Sequence, residues 1–99
     1  MEAILTNPRN YSKRLNGKLN SAGKIIKSYR IKNHISRQTL SDKLMIMGID
    51  ISAQSIYDLE TGNRGILDYE LCAIAKCLGV SSNDLLKDFE KYLDQNLYE

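Results

Sequence analysis

Cysteine and histidine are scarce in this 99-residue chain, and no long apolar run is present. The two cysteines, Cys72 and Cys77, are five residues apart. On a helix such positions point in different directions and cannot close a disulfide without moving backbone. They read as small core residues of a protein kept in a reducing compartment. The single histidine, His34, has no companion ligands, so no metal site is expected, and it reads as a loop residue between two helices. No nucleophile–base–acid set can be assembled around one histidine, and no glycine-rich phosphate loop follows a strand. An enzyme is therefore the weakest reading, and no cofactor is expected. Nothing approaches the roughly 18 apolar residues of a membrane span, and the first residues lack the apolar stretch of a signal peptide. The expectation is a cytoplasmic protein with no membrane partner.

Acidic residues are nearly missing from the first third. From Met1 to Arg37 nine basic residues face Glu2 alone, whereas the remainder carries five basic and eleven acidic residues. The overall charge of +2 thus conceals a segment of about +8 joined to one of about −6. Such asymmetry suggests a polyanion partner for the basic portion, against the plainer reading of two solvated faces of opposite sign. Hydrophobic content of 42% and charged content of 26% are ordinary for one globular domain with a single modest core.

The helical signals come in series. Residues 1–20, with Pro8, Gly17 and four Asn, read as a basic arm that is loosely ordered or becomes ordered only on contact with a partner, and residues 21–99 as the domain. Ala22, Ile25, Ile26 and Tyr29 then share a face. Ser36 caps a second helix whose buried stripe is Leu40 and Leu44, extended by Met47, with Gly48 ending it. Ser52 caps a third, short helix carrying Ile56 and Leu59 inside, closed by Gly62. A fourth begins near Asp68, buries Leu71, Ile74, Ala75 and Leu78, and stops at Gly79. "SSND" opens a fifth as a capping box, with the stripe Leu85, Phe89, Leu93 and Leu97. No stretch alternates well enough for a strand. None of these helices is long enough to persist alone in water, so they must pack into one all-α bundle of about five helices.

"LSDKL" (40–44), "SAQSIYDLETGNR" (52–64) and "DYELCAIAKCLGVSSNDLL" (68–86) together resemble the phage repressor/Cro, or Xre, family of helix-turn-helix proteins. The resemblance covers about Ala22 to Leu86. It implies a lambda-repressor-like fold and double-stranded DNA as partner, with the helix at 52–61 reading the major groove. Two features depart from the family pattern. "MIMGIDIS" makes the turn before the third helix about five residues longer than usual, which would tilt that helix. Arg37, followed by Gln38, stands where many members carry a glutamine that touches phosphate or braces the reading helix.

The outward side of the third helix carries Ala53, Gln54, Ser55, Tyr57 and Asp58, where a solvated helix usually prefers Lys and Glu. Gln54 suits an adenine edge, hydroxyls reach several acceptors, and Ala53 fits a thymine methyl. By resemblance, Ala53, Gln54, Tyr57 and Asp58 fall where the family reads bases. Asp58 is awkward near phosphate; it either accepts from a cytosine amine or pairs with a neighbouring base within the protein. Arg37, Gln38, Ser52, Asn63 and Arg64 are the candidate phosphate contacts, with a solvated turn residue as the competing reading of Arg64. Ser52 heads a helix end whose free N–H groups suit an anion. The arm residues Arg9, Lys13, Arg14 and Lys18 either follow a groove or phosphates, or form a solubility tail. The resemblance also implies a partly buried ion pair between Arg30 and Glu60.

These readings converge on a bacterial or phage-type transcriptional regulator, most simply a repressor acting as a homodimer. Leu85, Phe89, Tyr92, Leu93 and Leu97 are the candidate dimer surface, with closure of the monomer core as the competing explanation. The alternative is an antitoxin or adaptor that keeps the fold and binds a toxin or other protein.

Overall fold

The computed structural model describes residues 17–95, and no strand occurs among them. Five helices follow in order: α1 (Gly23–Lys32), α2 (Arg37–Ile46), α3 (Ala53–Glu60), α4 (Asp68–Leu78) and α5 (Ser82–Gln95). The all-α expectation holds, and every helix falls on a segment where the periodicity placed one.

Local chemistry sets the boundaries. Ser36 and Ser52 sit in extended backbone, and each hydroxyl accepts an amide three residues on, from Thr39 at 3.0 Å and from Ser55 at 3.1 Å. Ahead of α5 the Asp84 N–H donates to Ser81 Oγ at 3.1 Å, while the Ser81 N–H donates to Asp84 Oδ2 at 2.9 Å. The backbone bond from Ser81 holds the Asp84 carboxyl below the usual carboxylate range. α4 lacks a polar cap of its own; instead Glu70 reaches back and accepts the Leu67 N–H at 3.0 Å. His34 lies exposed between α1 and α2 with a positive φ of 58°.

The core is drawn from all five helices: Ala22, Ile26, Leu40, Leu44, Ile51, Ile56, Leu59, Ile74, Ala75, Leu78 and Leu85 are buried. A fully buried Leu or Ile contributes about 1.5–3 kcal/mol by leaving water, so this cluster is what orders helices too short to stand alone. α1 packs on α3 and α4, α2 also on α3 and α4, and α5 on α4. Gly23 lets the start of α1 lie against the end of α3, because a β-carbon there would collide with the Leu59 carbonyl oxygen.

Several expectations need correction. Met47 does not extend the α2 stripe; it is 44% exposed, because the helix ends at Ile46 and the chain turns away. Cys72 is exposed and Cys77 half-buried, so neither belongs to the buried core, although both thiols are free. Ile25, Tyr29 and Leu71 only flank the core, and Leu93 is 41% exposed. Leu97 lies outside the described residues.

The stretch 18–20, read as the end of an arm, is joined to the domain. The Leu19 N–H donates to the Gly62 carbonyl at 2.8 Å. Asn20 Oδ1 accepts the Ala22 and Gly23 amides at 3.1 and 2.7 Å, capping α1 from outside. Its Nδ2 donates to the Leu59 and Arg64 carbonyls at 2.9 and 2.7 Å. One amide therefore ties the start of α1 to the end of α3 and the loop beyond. Arg9, Lys13 and Arg14 lie outside the described residues.

Candidate nucleic-acid interface

α3 is short, but its register is set firmly. Ile56 and Leu59 are fully buried, Ser52 caps one end, and Gly62, at φ +84°, follows the other. With that side buried, geometry turns the remaining side chains outward. Gln54 is exposed, Tyr57 is 45% exposed, and Ala53, Ser55 and Asp58 are half-buried at the margins of the same surface. Ser55 Oγ lies 3.2 Å from Ser52 Oγ, so both hydroxyls sit at the helix start. Asp58 pairs with Gln54 rather than with a cationic neighbour: Gln54 Nε2 donates to Asp58 Oδ1 at 3.1 Å. Because a carboxylate only accepts, that bond turns the Gln54 amide so that its oxygen and one N–H remain outward.

The lengthened connection does not crowd this surface. α2 runs on to Ile46, leaving Met47 to Ser52 as the link to α3. Its backbone is pinned by the Ile49 N–H donating to Leu44 at 2.9 Å and by Ser41 Oγ donating to the Ile51 carbonyl at 2.6 Å. Ile51 is buried in the core and anchors the connection, whereas Met47, Gly48 and Asp50 stay exposed.

Beneath α3 lies an ionic cluster. Arg30 Nε donates to Glu60 Oε2 at 2.6 Å and its Nη2 to Oε1 at 3.2 Å, so the Arg30–Glu60 pair is present and buried. Arg30 Nη1 also caps the Ile35 carbonyl at 2.9 Å. Arg37 adds a second cation: its Nε donates to Glu60 Oε1 at 2.9 Å, and its guanidinium lies over the Tyr57 ring, 5.0 Å from the centroid. A completely buried carboxylate therefore holds α1, α2 and α3 in fixed relation.

The other candidate phosphate contacts are partly occupied within the protein. Arg64 turns its fork to Glu70, with Nη1–Oε1 and Nη2–Oε2 both at 3.0 Å, and Nη1 also donates to the Gly65 carbonyl. The hydrogen bond from Arg64 holds the Glu70 carboxyl below its ordinary range, and the same bond raises Arg64. Arg64 keeps its Nε–H and one Nη2–H for any outside acceptor. Gln38 Nε2 donates to Asp42 at 2.9 Å, and Asn63 Nδ2 donates to Thr61 Oγ1 at 3.3 Å. Lys18 Nζ donates to the Thr61 carbonyl at 3.1 Å, bracing the loop after α3.

Sequence reasoning missed three of these groups. Glu70, three residues after Leu67 at a helix start, carried a capping signal that went unread. Asn20, just ahead of a helix start, is a residue type that often bonds nearby amides. The Arg37–Glu60 contact, bridging 23 positions, had no local signal at all.

A short capped helix with an apolar underside and an outward amide–phenol–carboxylate surface, locked to the preceding helix, defines a helix-turn-helix domain. Comparison with protein families agrees: the helix-turn-helix model matches residues 26–85, from α1 to the first turn of α5. The chain belongs to this Xre-like, repressor/Cro-type family and has its lambda-repressor-like fold. No curated protein and no solved structure matches the chain. The family is a DNA-binding regulatory one rather than an enzyme family. No helix among the described residues is long and apolar enough to cross a membrane.

Proposed function

We propose that the protein is a sequence-specific regulator of transcription, of the repressor type, that lays α3 in the major groove of double-stranded DNA. One observation carries this reading: the side of α3 away from Ile56 and Leu59 is open to solvent and bears groups suited to base edges. Gln54, with oxygen and N–H outward, matches the acceptor and donor of adenine, and Tyr57 and Ser55 supply further hydroxyls. Arg37, Gln38, Ser52, Asn63 and Arg64 would set register on phosphates, joined by backbone amides of the loop after α3. A symmetric homodimer through α5 fits an operator of two half-sites about one helical turn apart. Of the candidate dimer residues, Leu85 is fully buried in the core of the monomer and is not available to a partner. Phe89 and Tyr92 are half-buried, and Leu93 is 41% exposed, with Leu86 on the same helix at 39%.

Selection of duplexes from a random library, followed by titration of the selected site, tests the reading. The expected result is an enriched inverted repeat whose affinity falls linearly on a log–log plot against salt, by about 0.9 per phosphate neutralised. Gln54→Ala with Tyr57→Ala should abolish the preference while leaving weak, salt-sensitive binding. Failure to enrich any sequence overturns the proposal.

A second reading has one observation in its favour. Met45, Ile46 and Met47 are 53%, 87% and 44% exposed in a row, a surface suited to a protein partner. An antitoxin or adaptor bound there would be indifferent to changes at Gln54 and Tyr57.

A further inference from the structure

We infer that Arg37 determines specificity indirectly, by positioning the Tyr57 ring on the reading face; this rests on the DNA-reading proposal above. Tyr57 is nearly half exposed, and no hydrogen bond to its hydroxyl is found among the described residues. An aromatic side chain in that situation hops between rotamers and must be immobilised when a base pair meets it. Arg37 removes that freedom beforehand. Its Nε is tied to Glu60 Oε1 at 2.9 Å, and Glu60 is held from below by Arg30 through two bonds of 2.6 and 3.2 Å. The guanidinium is therefore the exposed end of a buried, three-residue clamp, and its position 5.0 Å from the Tyr57 centroid is inherited from the core. The attraction of a cation for the ring face keeps the phenol in one place.

Arg37 differs in this from a plain phosphate contact. With Nε engaged, four N–H groups remain on its two Nη atoms, so it can take a phosphate as well. The two roles separate in their readouts. A phosphate contact carries no sequence information, so losing it weakens binding to every duplex alike. A positioning role changes the ratio between the preferred duplex and one substituted at the base pair beside Tyr57. Arg37→Lys makes the distinction sharp, because lysine keeps the charge but lacks the planar fork that bonds Glu60 and stacks on the ring.

The experiment measures affinities of the wild type, R37K, Y57A and the double variant for the selected duplex and for every single base-pair substitution of it. The base pair whose preference disappears in Y57A identifies the Tyr57 position. R37K should reduce the discrimination ratio there by roughly three- to tenfold, comparable to the cost of ordering one side chain, and should leave the other ratios unchanged. In the Y57A background R37K should add no further loss at that position. In parallel, the NMR ring signals of Tyr57 in ring-labelled protein without DNA, assigned by their absence in Y57F, should shift in R37K while those of Tyr29 stay in place. Intact discrimination at the Tyr57 position in R37K, or equal loss at all positions, overturns the inference alone. So does an unmoved Tyr57 signal. A wild type that selects no duplex overturns the DNA reading, and the inference with it.

Discussion

Glu60 shows how much one residue can be asked to do. It lies at the end of α3, yet its carboxylate is fully buried and accepts from two arginines on two other helices. A buried ion pair adds little net stability, because desolvating the charges offsets their attraction; removing one partner is another matter. Glu60→Gln keeps the shape but leaves two guanidinium groups facing an amide. The expected loss is about 3–5 kcal/mol, a large part of the roughly 5–15 kcal/mol that holds a domain together. Urea unfolding at neutral pH checks it, and a loss under about 1 kcal/mol would mean that water or a neighbouring group replaces the carboxylate. This pairing was only half legible in the sequence. The Arg30–Glu60 contact followed from the resemblance, whereas Arg37 was assigned to phosphate, because linear order gives no sign that residue 37 reaches residue 60.

Helices meet closely where side chains are absent. Gly23 begins α1, where an alanine would ordinarily strengthen a helix by roughly 0.5–1 kcal/mol. Here a β-carbon would run into the Leu59 carbonyl oxygen, which belongs to backbone and cannot swing aside. Gly23→Ala should therefore destabilise the protein by more than about 1 kcal/mol, the opposite sign to helix propensity. A thermal melt decides between the two, and a raised melting temperature would show that α1 and α3 tolerate separation. The helices themselves were easy to read, since Ser36, Ser52 and Ser81 are caps and Gly62 and Gly79 are stops. Their partners were not. Periodicity marks an apolar face but says nothing about depth, which is why Met47 and Cys72 looked internal and are exposed.

Across the whole molecule, stability should depend on acidity through Glu70. Its carboxyl titrates below its ordinary value because Arg64 bonds it, followed by the backbone bond from Leu67. A lowered folded-state value means that the ionised form stabilises the fold. That contribution is complete above the unfolded value, near pH 4.3, and is lost as pH falls through the lower folded value. The stability gap between wild type and Glu70→Gln should accordingly be constant from about pH 5 to 7 and narrow below about pH 4.3. Circular dichroism melts across pH 3–7 measure it; a gap that widens in acid would reverse the sign and refute the assignment.

What the sequence determined by itself was local: where helices start and stop, which faces are apolar, and that α3 turns polar groups without positive charge away from the core. Capping and periodicity act over three or four residues, so a linear reading contains them. Tertiary structure alone decided which charges spend themselves inside the protein. It set Arg64 on Glu70 and Arg37 on Glu60 and Tyr57, and it drew Asn20 out of the supposed arm to join α1 with α3, whereas the Gln54–Asp58 bond, four residues apart on one helix, is local. The reason is physical: a charged or amide group takes the nearest geometrically suited partner in three dimensions, and nearness across the longest of these distances exists only after the core of Ile26, Leu40, Ile56, Leu59 and Ile74 has closed.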